Sequence, residues 1–323
     1  MVTQLKLPDI DDFFLSERLA ESRAVVKEIA QRSEMPLIIQ FSGGRDSMAM
    51  LGLVREVTED FVCAYMATGT EFNGVIRSVK QTCEQLGVRL LISFPRQHKG
   101  NIFQRIEQFR SFPNLGSFEG GGKRLWCCRD LKLRPQKKML AQVFGKGTFY
   151  KLEGIRLSES SRRKIIYKEY RGNPIRVDDE HRSSFEVFPI INWTDDDVLN
   201  YLAASGYKPL EKLYKDFGVS GCAWCPFYGP EIYSRVLERF PRQYDRFIEW
   251  EKRLNIPSVM GGVFLRDIKA AVLAGEVFVP PVQVKSERSP CMMEFEGKMV
   301  PTCDIYGHCY VDGRCFRCEE PEK

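Results

Sequence analysis

Cys63 and Cys83 aside, the cysteines of this chain come in groups: Cys127–Cys128, Cys222-x-x-Cys225, and Cys291 with Cys303, Cys309, Cys315 and Cys318. Eleven cysteines without a secretory leader are too many for chance, and the compartment is wrong for a disulfide framework. Grouped thiols in a reducing cell bind metal. A Cys-x-x-Cys between Gly221 and Pro226 sits on a tight turn that can aim both sulfurs at one centre. Adjacent cysteines on a helix point roughly 100° apart. Cys127 and Cys128 therefore suit two irons of one [4Fe–4S] cluster better than one tetrahedral zinc, and four merely buried thiols are the weaker alternative. In the tail, Cys303, Cys309, Cys315 and Cys318 could close around one zinc, with His308 as a substitute ligand. The competing reading makes Cys315 or Cys318 a mobile sulfur carrier.

A second chemical signal is Ser42-Gly43-Gly44-Arg45-Asp46-Ser47, which follows the apolar run Pro36 to Phe41 and precedes an apolar helical pattern. Gly-Gly ordinarily marks a turn. Between a strand and a helix it also lets backbone N–H groups approach phosphate oxygens, where the helix dipole favours an anion. Ser42 and Ser47 add hydroxyls. Asp46 fits beside a phosphate only if a cation or the loop's own backbone holds it. The spacing is not that of a Walker loop.

The net charge of +5 is modest, but bases concentrate between Lys123 and Lys138 and between Arg156 and Arg171. Such stretches are either solvated helix faces or partners for an anionic ligand. Around Cys127 and Cys128, Arg124, Arg129 and Lys132 would also offset a negative cluster. No run approaches the ~18 apolar residues of a membrane span, and the acidic N-terminus does not read as a signal peptide. A cytoplasmic chain without membrane attachment is expected. His98, His181 and His308 fit no catalytic spacing. Tyr233, Tyr244, Phe247 and Trp250 fall at helical spacing and read as core.

Strands are expected at 36–41, 61–67, 88–94, 148–155 and 185–191. Helices are expected at 18–32, 47–57, 75–86, 194–204, 231–240 and 243–254. The alternation predicts an α/β fold: an open parallel sheet of about five strands with helices on both faces. Thr194 and Asp197 form a capping box and Gly206 stops that helix. Gly261, Gly262 and Pro280–Pro281 mark a linker. The expected organisation is a nucleotide-binding domain over 1–230, a helical extension and linker over 231–290, and a Cys-rich tail over 291–323.

The Ser42–Ser47 loop resembles that of the PP-loop ATP pyrophosphatases. Four further stretches, "ATGTEF", "WCCRDLKLRP", "GIRLSESSRR" and "VFPIINWTDDDVLNYL" with "SGCAWCP", resemble the phosphoadenylyl-sulfate (PAPS) reductase family, in its order and over about residues 36 to 228. The resemblance implies an adenine nucleotide alpha hydrolase-like fold. It implies Mg-ATP with its pyrophosphate on Ser42 to Ser47 and adenosine near Met66 to Gly69, including Thr68. It implies Arg156, Arg162 and Arg163 as anion partners, with Asp46, Lys132, Arg156 and Arg162 as the catalytic set. Lys132 holds the family's lysine position, between cluster and nucleotide. The cluster pattern Cys127, Cys128, Cys222 and Cys225 also matches an iron–sulfur branch of the family.

The loop is intact, whereas sulfonucleotide reductases carry a degenerate one, and the reductases' Glu-Cys-Gly-Leu-His ending is absent. The resemblance therefore implies an enzyme that adenylates an acceptor, releases pyrophosphate and supports sulfur transfer. Acceptors that fit are tRNA, DNA or a small molecule, and donors are a cysteine desulfurase or thioredoxin. The alternatives are a thioredoxin-dependent adenylyl- or phosphoadenylyl-sulfate reductase and a non-enzymatic nucleotide- or nucleic-acid-binding iron–sulfur module.

Overall fold

The computed structural model describes residues 10–32, 34–95, 101–113, 126–145, 147–159, 163–164, 167, 170, 172–177, 184–217, 221–226, 228–259, 262–279, 292–295 and 298–301. In chain order the elements up to the end of the second basic stretch are α1 (Ile10–Gln31), β1 (Leu37–Gln40), α2 (Arg45–Arg55), β2 (Val62–Met66), α3 (Val75–Gln85), β3 (Leu90–Ser93), α4 (Ile102–Phe109), α5 (Trp126–Cys128), a π-helical turn (Arg129–Leu133), α6 (Arg134–Phe144), β4 (Tyr150–Leu152) and β5 (Ile175–Val177). They continue as β6 (Phe185–Val187), α7 (Asp195–Ser205), α8 (Glu211–Phe217), α9 (Pro230–Arg239), α10 (Pro241–Leu254), α11 (Leu265–Leu273), β7 (Met292–Phe295) and β8 (Lys298–Pro301).

The six-stranded sheet runs β3-β2-β1-β4-β6-β5. β1 lies parallel to both β2 (Ile38↔Val62) and β4 (Leu37↔Tyr150), and β4 parallel to β6. Leu37, Ile38 and Ile39 are buried, as a strand covered on both faces requires. α2 is buried from Ser47 to Val54, so the helix after the glycine loop is core rather than surface. The expected sheet of about five strands is present and carries one more. β5 is an antiparallel edge on β6, where Arg176 sits opposite Glu186 and bonds it. Three residues are too few for a periodicity signal, and the pair of opposite charges across the strands supplies its register instead. The strand expected over 185–191 ends at Val187. Pro189 has no N–H to continue a ladder, and the chain turns through Ile191 N–H to Phe188 O (3.2 Å) and Trp193 N–H to Ile190 O (3.0 Å).

α7 carries the expected capping box. Asp197 N–H donates to Thr194 Oγ1 (3.2 Å), Thr194 N–H donates to Asp197 Oδ2 (2.7 Å), and Gly206 closes the helix at φ 74°. The linker expected around Gly261 and Gly262 contains α11 instead, with Leu265 and Ile268 buried. Glu251 takes the place of an N-cap there: its carboxylate accepts Leu265 N–H (2.8 Å) and Arg266 N–H (3.3 Å). A cap supplied from another helix leaves no signature beside the helix that it starts.

By contact the described residues form two compact units. One lies within Met1–Tyr65, Arg77–Leu91 and Ala141–Leu210, the other within Met66–Ile76, Ile92–Leu140 and Glu211–Lys323. In the first, the core is β1, α2 and the strands around them. In the second, Trp224 stacks on Phe247 (4.1 Å) beside Tyr244, and Tyr233, Tyr244 and Phe247 are buried, as their spacing predicts. Cys63 and Cys83 are likewise buried core residues. Among the described residues, no helix is long and apolar enough to cross a membrane.

Candidate functional site

The glycine loop stands where the strand and helix place it, between β1 and α2. Phe41 N–H still pairs with Ala64 O (3.0 Å), and the chain leaves the sheet at Ser42. Gly43 turns it at φ 76°, a conformation in which an added Cβ would also lie 3.0 Å from Leu210 Cδ1. Leu210 N–H pins the turn by donating to Gly43 O (3.1 Å). Gly44 then starts α2 with no side-chain cap. The two serines lock the loop: Ser42 N–H donates to Ser47 Oγ (3.2 Å), the two hydroxyls lie 3.0 Å apart, and Gly44 N–H reaches Ser42 Oγ (3.3 Å). Ser47 also donates to Gly44 O (3.0 Å), closing the first turn on itself. The result is a rigid curved backbone at an uncapped helix N-terminus, a form suited to an anion.

The cation that Asp46 requires is Arg156. Arg156 Nε donates to Asp46 Oδ1 (2.7 Å), one terminal nitrogen to Ser158 Oγ (2.7 Å) and the other to Asp195 Oδ1 (2.7 Å). Burial alone would lower the Arg156 pKa, but the charge and hydrogen bonds of Asp46 and Asp195 hold it above the usual guanidinium value. Gly154, just before it, passes so close that a Cβ there would be 3.1 Å from the Asp46 carbonyl carbon. Glu159 accepts Arg156 N–H (3.2 Å) and faces Arg163 Nε (3.4 Å). Burial raises the Glu159 carboxyl, only partly offset by Arg163. Arg156 thus holds the loop's acid in place. Arg45 lies at the start of α2. Arg162 lies outside the described residues.

In the second unit, Cys127 and Cys128 close α5 and Lys132 follows within the π-helical turn. Such turns insert a residue into a helix and occur often at functional sites. Charge at Cys222, and then at Cys128, Cys225 and Cys127, outweighs burial and holds the Lys132 ammonium above the usual lysine range. Charge at all four clustered cysteines therefore acts on one lysine. The Cys127 thiol is pushed well up by its hydrogen bond with Cys128, by burial, and by charge on Cys128, Cys222 and Cys225. The crowding therefore makes Cys127 resist ionisation, and a cationic partner such as Lys132 relieves that resistance.

The Cys-x-x-Cys turn is joined to the loop after β2. Glu71 bridges Cys222 in antiparallel fashion, Ala223 N–H donates to Thr70 O (2.7 Å), and Thr68 Oγ1 lies 3.6 Å from Cys222 Sγ. Glu71 gathers this loop: its carboxylate accepts Thr68 N–H, Thr68 Oγ1–H (2.8 Å) and Gly69 N–H (3.0 Å). Tyr233 donates to Cys225 O (2.7 Å). Burial, then charge at Cys225 and Cys222, raises the Tyr228 phenol beside the same turn.

Part of the first basic stretch is consumed internally. Asp130, 1% exposed, accepts from Arg105, from Arg129 Nε (2.9 Å) and from Arg134 (2.8 Å). Burial pushes its carboxyl up, but the hydrogen bonds from Arg129 and Arg105 outweigh that and hold it below the usual range. Arg129 and Arg134 thus serve an internal acid, so the stretch does not act as a unit toward an anion. Lys123 and Arg124 lie outside the described residues, as do Cys291, Cys303, Cys309, Cys315, Cys318, His98, His181 and His308.

Asp195, Ser158, Glu71 and Tyr228 were not singled out from sequence. Asp195 was legible only as one of three acids in a helix's first turn, and Glu71 as the end of the "ATGTE" stretch. Among the described residues, no group of three or more His, Cys, Asp or Glu side chains is placed to hold a single metal ion. One buried donor in the Cys-x-x-Cys turn stands without a partner, the indole N–H of Trp224, itself 5% exposed. Leaving such a group unsatisfied costs about 1–3 kcal/mol.

The chain is similar to several known proteins. An uncharacterized protein of Methanocaldococcus jannaschii is 25% identical over 78% of this chain, which spans 58% of that relative's length. Adenosine 5'-phosphosulfate reductase 2 of Bacillus subtilis is 25% identical over 67% of this chain and 84% of its own length. Among solved structures, the U34-tRNA thiolase NcsA of Methanococcus maripaludis with its [4Fe-4S] cluster aligns at 15% identity and a TM-score of 0.46, over 81% of this chain and 92% of its own. The phosphoadenosine phosphosulfate reductase domain model matches residues 36–227, from the first strand of the sheet through the Cys-x-x-Cys turn. That match takes in more than half of the sequence, and the chain belongs to the phosphoadenosine phosphosulfate reductase domain family.

Proposed function

We propose that the chain is a PP-loop enzyme that binds Mg-ATP, adenylates an acceptor and releases pyrophosphate in support of sulfur transfer. The observation that carries this reading is the intact Ser42–Ser47 loop. Its glycines and two locked serines curve around an uncapped helix start, where the β and γ phosphates of ATP would find backbone donors. The acceptor's nucleophile attacks the α-phosphorus, the bond to the β-phosphate oxygen breaks, and pyrophosphate leaves on the loop. Arg156 keeps Asp46 turned toward itself and away from the phosphates. By the same reading, Thr68 and Gly69 would take the adenosine, and Arg162 and Arg163 would serve as anion partners.

Cys127, Cys128, Cys222 and Cys225 would hold a [4Fe–4S] cluster. Three observations suit that group: charge at all four cysteines acting on one ammonium, a Cys127 thiol whose ionisation needs further positive charge, and an unpartnered indole N–H in the same turn that suits a sulfur acceptor. When bound, the cluster supplies a redox-active centre rich in sulfur. Lys132 offsets its charge. Expected acceptors are tRNA, DNA or a small molecule, with a cysteine desulfurase as sulfur donor or thioredoxin as electron donor.

A second reading, a sulfonucleotide reductase, is favoured by the name of the Bacillus subtilis relative. The two separate cleanly. Under the first, ATP binds more tightly than adenylyl or phosphoadenylyl sulfate, and pyrophosphate appears when the acceptor is added. Under the second, either sulfonucleotide with reduced thioredoxin yields steady sulfite, which overturns the ATP reading.

A further inference from the structure

Arg156 is shared between two carboxylates of unequal standing. Its side chain is 6% exposed; that of Asp46 is 26% exposed and that of Asp195 is 76% exposed. Asp46 is fixed in the first turn of a buried helix. Asp195 stands at the first position of α7, largely in water, and does nothing for that helix's cap. Thr194 and Asp197 satisfy the cap between them, and Asp197 also takes Arg18 (2.6 Å). The remaining groups around the guanidinium are fixed as well: the Ser158 hydroxyl donates to Trp193 O (2.8 Å), and Glu159 is engaged by Arg156 N–H and Arg163.

We propose that Asp195 is a built-in competitor for Arg156, a carboxylate that covers the guanidinium while the phosphate loop is empty and yields it to a nucleotide phosphate. The inference rests on the nucleotide-binding reading above and adds a regulator to that site. Asp195 is already largely in water and Asp46 remains on the guanidinium, so Asp195 can leave at little cost. A phosphate carries more charge and more acceptor oxygens than the carboxylate and offers a charge-assisted bond to the same nitrogen. Asp46 stays throughout, so the guanidinium keeps its position while exchanging one partner. A negative charge at that rim also repels an arriving anion until it is displaced.

The test is calorimetric titration of the full chain with Mg-ATP and, separately, with pyrophosphate, using wild type, Asp195→Asn and Asp196→Asn. Asp196 is the adjacent exposed acid, without a bond to Arg156, and controls for charge removal alone. Asp195→Asn is expected to bind both ligands about three- to ten-fold more tightly at low salt, with the gain shrinking at 0.5 M salt. Asp196→Asn is expected to stay within two-fold of wild type. Wild-type binding with unchanged or weaker binding by Asp195→Asn overturns this inference alone, and so does an equal gain in Asp196→Asn. Absence of binding by all three proteins overturns the nucleotide reading and this inference together.

Discussion

Arg156 Nε donates to Asp46 Oδ1 across 2.7 Å, joining the segment after β4 to the first turn of α2 over 110 positions of sequence. The guanidinium is needed for its shape as well as its charge, because three acceptors lie around it in one fork. Arg156→Lys keeps the charge and can serve one acceptor well. It should weaken Mg-ATP binding at least ten-fold and cost about 1–3 kcal/mol of stability by leaving partners unsatisfied. Calorimetry and denaturant unfolding read the two effects separately. Wild-type affinity in Arg156→Lys would show that the fork is not what holds Asp46.

The two loop glycines differ in what they tolerate. Gly43→Ala forces a side chain into φ 76° against Leu210 and should lower stability by about 1–2 kcal/mol. Gly44 has φ −72°, which any residue adopts, so Gly44→Val should fold and yet lose nucleotide binding through obstruction of the backbone. Unaltered ATP affinity in Gly44→Val would return the loop to an ordinary turn.

The thiol group predicts colour and composition. Protein purified without oxygen should be brown with about four irons per chain, and Cys225→Ser should bleach it. Truncation before Cys291 should leave the iron in place if the tail is its own small unit, and should remove any zinc. Stoichiometric zinc without iron in the anaerobic full-length protein is the opposing result.

Asp197 offers a pH test. Burial pushes its carboxyl up, but the hydrogen bonds from Arg18 and Thr194 outweigh this and hold it below the usual aspartate range. A depressed carboxylate contributes stability above its unfolded pKa, near ~3.9, and loses it as pH falls through the folded value. Asp197→Asn should therefore be less stable than wild type at pH 7, with the gap closing below about pH 4. A gap that stays constant from pH 7 to pH 3 would assign the loss to packing instead.

Local signals carried the parts of the site that are local. The glycine loop, the capping box at Thr194 and the paired cysteines each announce themselves within a few residues. What could not be read is who meets whom. The requirement of a cation for Asp46 follows from the loop alone, yet Arg156 as that cation needs the sheet order that brings β4 beside β1. Arg129 and Arg134 look like free charge in a string and are consumed by Asp130 in space. Glu71 and Asp195 escaped notice because a lone carboxylate acquires meaning only from the donors facing it. α11 was hidden by glycines on one side, prolines on the other and a cap contributed by a different helix.

The distance along the chain between Cys127–Cys128 and the Cys-x-x-Cys turn has a consequence for biogenesis. On a ribosome adding 5–20 residues per second, the first two thiols wait roughly 5–20 s for the second two to be made. Over that interval Thr68, Gly69 and Thr70 also lack Ala223 and Cys222, the partners that brace their loop from the far side. Nascent chains therefore expose Cys127 and Cys128 to oxidants and stray metals before Cys222 and Cys225 exist. For the proposed cluster, maturation becomes a matter of timing: iron would have to meet a nearly complete polypeptide.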